Sequence, residues 1–488
     1  MRIPVINGFQ NRNNSPNIIL AVVCLGVFLG ALDQTVIYGA LPKMMSSINL
    51  PITRLDQAAW IVIGYLLGYT FAMPLMGRVS DVYGHRRIYV LSLLIFIAGS
   101  LLTALAANLQ WIIGARVIQA IGGGALVPVA MAITGDVFAQ KRRAVALGIV
   151  GAAAEAGGAL GPFYGATLAQ FWGWRWIFWI NLPVSLIIIL IVISFLRASP
   201  RTYDKVDYIG GFLLAAGVGF FSLGLSQESR NPHYLIYLIG FLAIAVICFT
   251  FFGIRITRTS NPLFKISLFK NLTFSVANLT NILVGGALII AMVNIPLMSD
   301  TIMGKTAMEG GLRLLRFTIM LSAGAVAGGF LCKRFGYRLP TIIGLILSSI
   351  GFLLMSRWSL AIADPILTID LAACGFGFGL VIAPLATGVM NSIGEDQKGI
   401  ASAIIVTTRL IGMIIGLSAI ISWGMDWFHV MTAGMSLTDI ITAPDQLRQS
   451  LLGMFHNFFL AGMVICIAAI IPALWLRREP QKPYNHAA

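Results

Sequence analysis

Long apolar stretches recur along the whole chain and constrain its fold more than any other feature. A helix that crosses a membrane needs about 20 mostly apolar residues. The sequence contains fourteen such stretches between residues 17 and 476. Backbone polar groups inside lipid must find partners within their own segment, so these spans are helices. The sequence therefore predicts an all-α polytopic membrane protein with 14 transmembrane helices.

Composition agrees with this class and argues against others. The chain is 58% hydrophobic and 10% charged, whereas a soluble domain carries roughly 25% charged residues. The five cysteines show no CxxC spacing, which predicts neither a disulfide framework nor a metal site. The first apolar run has no small-residue cleavage signature, so we expect a retained span.

The basic residues predict the orientation in the membrane. Most of the 33 lysines and arginines fall in loops on one side of the spans, in short groups. This distribution favours membrane orientation over nucleic-acid binding as the cause of the +15 charge. By the positive-inside rule we expect a multi-pass protein of the cell membrane with both termini in the cytoplasm.

An internal repeat predicts the domain organisation. The loop GRVSDVYGHRR (Gly77 to Arg87) is similar to GGFLCKRFGYR (Gly328 to Arg338), and both lie on the same predicted side, as parallel repeats require. We expect a tail over 1–16, a six-helix bundle over 17–198, two linker helices over 199–256, a second six-helix bundle over 257–476 and a tail over 477–488.

Three charged residues stand out inside the apolar spans. They are Asp33 in LGVFLGALDQTVIYGALP, Glu155 in VGAAAEAGGALGPFYG and Arg409 in ASAIIVTTRLIGMIIG. A charge at the bilayer centre costs at least ~2.5–3.5 kcal/mol, so it is rarely without function. Each residue lies roughly 15 Å from a span end, near the midplane, and we expect the three to meet there.

This trio predicts proton coupling. Low dielectric favours the protonated form of a carboxyl group, and a nearby arginine opposes that effect. We predict that Asp33 and Glu155 carry protons and that Arg409 is the electrostatic switch, because rocking of the helices would change its distance from them. The alternative is a permanent buried ion pair that only holds helices together.

Two further patterns leave alternatives open. Gly157, Gly161 and Gly165 recur every four residues beside Pro162, which indicates either close helix packing or a gating role. In span ten, the pair Arg313 and Arg316 either binds anionic head groups or snorkels to the interface.

Motifs for enzymes and ATP-driven pumps are absent from the sequence. It contains no HExxH and no GxSxG, and the GKT at Gly304 to Thr306 has Ser299 where a phosphate loop needs glycine. We therefore expect no enzyme activity, no catalytic or metal-binding residue and no cofactor, with the proton gradient as the energy source.

Several motifs resemble those of the major facilitator superfamily. GRVSDVYGHRR resembles its signature loop, ARVIQAIGGGALVP (Ala115 to Pro128) its fourth-helix arginine motif, and GGALGPFYGA (Gly157 to Ala166) the fifth-helix motif of its exporters. Together with LDQTVIYGALP in span one and WRWIFWINLP opening span six, they make the chain similar to the fourteen-span drug:proton antiporter branch. The resemblance implies the major facilitator fold, with two six-helix bundles and two extra linker helices.

The resemblance also implies roles for individual residues. The signature loop would act as a conformational latch through the residues Gly77, Asp81, Gly84 and Arg87. In the fourth-helix motif, Arg116 and Gln119 are proton-relay candidates, or alternatively a static hydrogen-bond hub.

Cargo and partners follow from the same resemblance. The combination of Asp33, Glu155 and Arg409 is similar to lipid exporters of mycobacterial envelopes, which move triacylglycerides and lipoglycans and work with a lipoprotein. We expect a monomeric proton-coupled exporter of lipidic or amphipathic molecules. The alternatives are a multidrug efflux antiporter, a passive lipid-flipping conduit and a non-transporting scaffold. The outer connection 424–451 is the predicted docking place for a lipoprotein.

Overall fold

Fourteen α-helices make up the computed structural model, which describes residues 16–196, 206–227, 232–259, 262–393, 398–432 and 444–476. Two short 3-10 helices, Ile52–Arg54 and Ile266–Lys270, are the other regular elements in these ranges, which contain no strand. The all-α prediction is confirmed. The helices are α1 Pro16–Ser47, α2 Leu55–Tyr83, α3 His85–Ala104, α4 Leu109–Val137, α5 Gln140–Phe171, α6 Arg175–Phe195, α7 Tyr208–Leu225, α8 Tyr234–Arg258, α9 Leu272–Thr301, α10 Ala307–Phe335, α11 Arg338–Met355, α12 Asp364–Asn391, α13 Lys398–Thr432 and α14 Pro444–Ala473.

All 14 helices are long and apolar enough to cross a membrane. Successive helices run in opposite directions, so the bundle has two ends. We call the end where α1 begins the basic end, because the α2–α3 turn and the α10–α11 turn there carry Arg86, Arg87, Lys333 and Arg334. At the other end, the start of α6 meets the end of α1, where Trp174 Nε1 donates to Ser47 Oγ at 2.7 Å. We call this the opposite end.

The helices form two groups of six, α1–α6 and α9–α14, which we call the N-half and the C-half. Helix α7 packs against α2 of the N-half, where Leu75 contacts Gly211, and against α13 of the C-half, where the hydroxyls of Ser222 and Ser418 bond. It therefore covers the seam between α2 and α13. Of the predicted domain limits, those near 198 and 477 lie outside the described residues, and the limit near 256 falls in the last turn of α8.

The apolar core shows where the halves meet. One buried cluster spans both halves and includes α1 from Val36 to Met45 and α2 from Leu55 to Leu75, toward the opposite end. The basic-end part of α1, from Ile19 to Leu29, belongs to a second cluster built from the N-half alone. The apolar core that joins the halves therefore lies toward the opposite end, and we call the region between the halves at the basic end the cleft.

The helices extend beyond the predicted spans, and this corrects the connection predicted over 424–451. Residues 424–432 belong to α13 and 444–451 to α14, so only 433–443 lie outside the described residues. Met425 and Phe428 are buried, with 3% and 1% exposure. Their burial explains why the helix continues past the most hydrophobic stretch, since packing stabilises a helix more than propensity does. The predicted lipoprotein docking place is thus largely helical.

Candidate functional site

A buried ion pair joins α1 and α4 inside the N-half. Arg116 Nη1 lies 2.7 Å from Asp33 Oδ2, and both residues have 0% exposure. Arg116 Nη2 also donates to the backbone oxygen of Asp33 at 3.2 Å. Charges removed from water in this way must be paired and hydrogen-bonded to be tolerated. The pair is therefore the electrostatic centre of the N-half.

Neutral polar side chains complete the shell of this carboxylate. Gln119 Nε2 and Asn181 Nδ2 each donate to Asp33 Oδ1 at 2.9 Å, and Gln119 Oε1 accepts from Arg116 at 2.7 Å. Both amides also donate to Ser100 Oγ, at 2.6 and 3.2 Å. The site thus joins α1, α3, α4 and α6 through one hydrogen-bond network. The structure brings Asp33 together with both relay candidates.

Aromatic rings and glycines fix the geometry of this site. The guanidinium carbon of Arg116 lies 3.9 Å from the ring centroid of Tyr65, which is a cation–π contact. A side chain at Gly99 would collide with the backbone of Gln119, so glycine there lets α3 approach α4 and places the neighbouring Ser100 against the amides. The buried shell excludes water from the ion pair.

The expected meeting of the three midplane charges does not occur in this structure. Asp33 faces α4 and α6, within its own half, and pairs with Arg116 rather than Arg409. Across the residues described, neither Glu155 nor Arg409 forms an ion pair. The reason is the direction of Asp33, which points into the N-half and away from the cleft.

Glu155 lies where α5 and α10 separate. Thr318 Oγ1 of α10 donates to the backbone oxygen of Ala159 at 2.9 Å, which joins the two halves. Glu155 is one turn closer to the basic end on the same face of α5, and it is exposed. It therefore lies on the basic-end side of the contact between α5 and α10.

Arg409 belongs to the C-half and approaches the N-half from α13. Its side chain is partly exposed, and α13 packs against α2 of the N-half. The backbone oxygen of Arg409 packs against Gly285 of α9. The structure thus places this arginine at the seam between the halves, separate from the Asp33 site.

The glycine motif of α5 packs against α1 within the N-half. A side chain at Gly157, Gly161 or Gly165 would collide with α1, while the neighbouring Gly158 faces open space. The hydroxyl of Thr35 donates to the backbone oxygen of Gly158 at 2.9 Å. Of the two interpretations, these contacts support close packing. A side chain at Gly311 of α10 would lie 3.2 Å from the backbone oxygen of Pro162, beside the motif.

The signature loop forms the α2–α3 turn. Gly84 has φ +94°, a conformation that favours glycine. The imidazole of His85 lies 3.2 Å from Asp136 and 4.0 Å from Asp81. Arg87 is exposed, and a side chain at Gly77 would meet only Pro128, at 3.6 Å. The latch role stays a prediction, and the structure adds His85 and Asp136 to its surroundings.

Arg313 and Arg316 bind protein groups in this structure. Arg313 is buried and donates to Ser299 Oγ of α9 at 3.0 Å. Arg316 pairs with Asp364 of α12 at 2.9 Å, and its side chain is 37% exposed. The interpretation that both arginines snorkel to the interface is therefore wrong for Arg313, because its guanidinium points into the C-half. A head-group contact stays a prediction for Arg316.

Sequence reasoning missed three polar partners in these spans. Asn181 stands in WRWIFWINLP and Ser100 in FIAGSLLTA, and an amide inside a nearly uniform apolar run is a signal that could have identified Asn181. Asp370 of α12 is also buried and accepts from Trp358 Nε1 at 2.9 Å. The criterion that selected Asp33, an acid inside an apolar span, would have found Asp370 as well.

The architecture agrees with comparisons to known proteins. The sequence is 35% identical to a triacylglyceride transporter of Mycolicibacterium smegmatis, over 95% of this chain and 88% of that protein. It is 33% identical to a triacylglyceride transporter of Mycobacterium tuberculosis, over 92% of each. A bacterial homolog of the human lysosomal transporter Spinster, solved in an inward-facing and unoccupied conformation, superposes with a TM-score of 0.69 at 16% identity, over 96% of this chain and all of that one. Residues 23–417 match the Major Facilitator Superfamily, and the chain is a membrane transporter of that family.

Proposed function

We propose that this protein is a proton-coupled exporter of lipidic molecules, with triacylglyceride-like lipids as the favoured cargo. The lipid assignment is supported by the relatives named triacylglyceride transporters, at 35% and 33% identity. Export by antiport is supported by the resemblance of the span-five motif to that of exporters. Multidrug efflux by the same antiport is the competing function, and the experiment below separates the two.

The observation that carries proton coupling is the Asp33–Arg116 pair. Both side chains have 0% exposure, and 2.7 Å separates Arg116 Nη1 from Asp33 Oδ2. A proton that binds this carboxylate removes its charge and leaves the guanidinium without its ionic partner, which is costly in a dry site. Proton binding must therefore rearrange helices α1 and α4, and such a rearrangement is what couples a proton to movement of the halves.

The cleft provides the second element of the mechanism. We place the basic end in the cytoplasm by the positive-inside rule, so that the cleft would face inward. Glu155 and Arg409 lie on different halves, and neither forms an ion pair with a described residue. A carboxylate and a guanidinium that face a shared cleft can change their separation when the halves rock. We propose that the changing attraction between Glu155 and Arg409 favours one arrangement of the halves over the other. We also propose that Glu155 exchanges protons with solvent in the cleft.

The outer surface of the helix bundle supports a cargo that passes between the cleft and the surrounding lipid. Helix α7 covers the seam between α2 and α13, whereas neither linker helix, over its described residues, packs along the seam between α5 and α10. Along the basic-end part of that seam α10 exposes apolar side chains, including Val326 at 63% and Phe330 at 68%. We propose that lipid enters the cleft laterally between α5 and α10.

The test uses purified protein in proteoliposomes under an imposed pH gradient. A fluorescent triacylglyceride analogue and a cationic dye are assayed separately, for the wild type and for Asp33→Asn. We expect the gradient to drive the lipid analogue and Asp33→Asn to abolish that movement. Gradient-driven movement of the dye alone would establish drug efflux instead.

Matched variants separate a lateral route from general damage. Gly329→Trp places a large side chain on the basic-end part of α10, where no heavy atom lies within 4 Å of a built Cβ. Gly240→Trp does the same on α8, away from both seams.

Movement of cargo that is unaffected by both the gradient and Asp33→Asn would show a passive conduit. Absence of any movement would leave the scaffold as the better assignment.

A further inference from the structure

The two oxygens of the Asp33 carboxylate have different partners. Oδ1 accepts from two amides, Gln119 Nε2 and Asn181 Nδ2, each at 2.9 Å. Oδ2 accepts from Arg116 Nη1 at 2.7 Å. Asn181 is itself 1% exposed and tethered to Ser100 Oγ at 3.2 Å, so its amide is held in this orientation. The carboxylate is therefore bound asymmetrically.

This asymmetry decides where a proton can bind. A carboxylic O–H needs an acceptor, and amide N–H groups only donate. A proton on Oδ1 would lie against two N–H donors, and neither amide can move away from it. A proton on Oδ2 would face Arg116, and that guanidinium keeps two other acceptors, Gln119 Oε1 at 2.7 Å and the backbone oxygen of Asp33 at 3.2 Å. Oδ2 is thus the oxygen that can be protonated at the lower cost.

Other titratable groups lie around the pair, and the phenol of Tyr65 interacts directly with the Asp33 carboxylate. The phenols that surround the pair are Tyr38 of α1, Tyr65 of α2 and Tyr164 of α5. Helices α3 and α6 contribute the neutral Ser100 and Asn181 described above. On α9, which packs on α1 from the C-half, Asp300 interacts with Lys43 near the opposite end, remote from Asp33 along α1.

We propose that Asn181 is a positioning residue for proton coupling: by donating to Oδ1 of Asp33, it confines the proton to Oδ2 and makes protonation and release of Arg116 one event. The inference rests on the proposed function and deepens it. Without Asn181, Oδ1 has one donor fewer, and a proton can bind there while Arg116 stays on Oδ2. Proton binding would then no longer open the ion pair.

An infrared titration of the purified protein tests this directly. The C=O stretch of protonated Asp33 is assigned by its absence in Asp33→Asn. In the wild type, the C=O oxygen is Oδ1 with two N–H donors. In Asn181→Leu the proton can bind Oδ1 instead, so the C=O oxygen is Oδ2, which accepts the charge-assisted bond from Arg116, and we expect the band at lower wavenumber. The pH at which the band reaches half intensity should also rise, by about one to two units, because the carboxylate loses a hydrogen bond.

Control variants separate positioning from folding. Ser185→Ala changes a buried hydroxyl on α6, one turn from Asn181, which has no hydrogen-bond partner among the described residues. We expect it to leave the band and the midpoint unchanged. Ser100→Ala is a smaller change that frees the amide of Asn181, and it should shift the band in the same direction as Asn181→Leu. An unshifted band in both Asn181→Leu and Ser100→Ala would overturn the proposal.

A transport measurement extends the test. In proteoliposomes we expect Asn181→Leu to lower the amount of lipid analogue moved per proton about tenfold, as a cost near one pH unit implies, while Ser185→Ala keeps the wild-type ratio. If the wild type shows no gradient-driven transport but the Asp33 band still shifts in Asn181→Leu, the proposed function fails and the positioning role stands. Gradient-driven transport with wild-type coupling and an unshifted band in Asn181→Leu would reject the positioning role alone.

Discussion

Asp33 of α1 and Arg116 of α4 form an ion pair at 2.7 Å, and neither side chain is exposed. A pair of this kind gains little net stability over apolar side chains of the same size, but removing one partner leaves the other buried without compensation. The stability of the N-half and its proposed proton chemistry therefore depend on the same two residues. This relationship allows the two contributions to be separated by mutation.

We expect Asp33→Asn and Arg116→Gln each to lower the free energy of unfolding by about 3–5 kcal/mol, since each leaves one buried partner unpaired. The double variant should lose less than the sum of the single losses, because neither partner then remains uncompensated. Thermal unfolding in detergent measures the stability, and all three variants should fail in gradient-driven transport. Additive losses of stability would show that the two residues do not interact.

Glu155 and Arg409 should behave differently, because neither forms an ion pair with a described residue and Glu155 is exposed. Glu155→Gln and Arg409→Gln are expected to change the free energy of unfolding by less than about 0.5 kcal/mol. Both should nonetheless reduce gradient-driven transport strongly. A variant with lowered thermal stability and unchanged transport would instead indicate a structural role.

The fold was predictable because the bilayer simplifies the problem. Spans of about 20 apolar residues must be helical, and their number and order along the chain followed directly. The ends of the helices were predicted less accurately. Helix α13 continues into a stretch of mixed polarity, where the side chain of Phe428 is buried.

The site was predictable only in part, since a hydropathy pattern gives depth but not direction. Asp33, Glu155 and Arg409 were predicted to lie at one depth and to meet, whereas in the structure Asp33 points into its own half and pairs with Arg116. Which face of a helix meets which neighbour depends on tertiary packing. Asn181 was missed because one amide in an apolar run resembles a packing residue until its hydrogen bonds are seen.

The packing of α1 against α5 predicts unequal effects of neighbouring glycine substitutions. A side chain at Gly161 would lie 2.6 Å from the backbone oxygen of Leu32, whereas one at Gly158 would meet no heavy atom within 4 Å. We expect Gly161→Val to destabilise the protein by about 1–3 kcal/mol, as overpacking does. Gly158→Ala should be tolerated, and thermal unfolding of both compares them. Equal stability of the two variants would contradict the contact seen here.

The seam between α5 and α10 predicts how to hold the opposite end open. A side chain at Gly311 would lie 2.5 Å from the methyl group of Ala166, so this glycine allows the two halves to touch. Gly311→Leu should wedge them apart, since leucine cannot fit in that contact. Gly329→Leu is the matched control on the same helix, because nothing lies within 4 Å of it.

Spin labels on opposite halves report the opening caused by this wedge. Ser46 and Lys305 are exposed near the opposite end, one in each half, so the distance between labels there measures separation of the halves. We expect a longer distance in Gly311→Leu than in the wild type and an unchanged distance in Gly329→Leu. Transport by Gly311→Leu should be slower than wild-type transport, because a cycle needs both ends to close. An unchanged distance in Gly311→Leu would mean that the contact with Ala166 does not hold the opposite end shut.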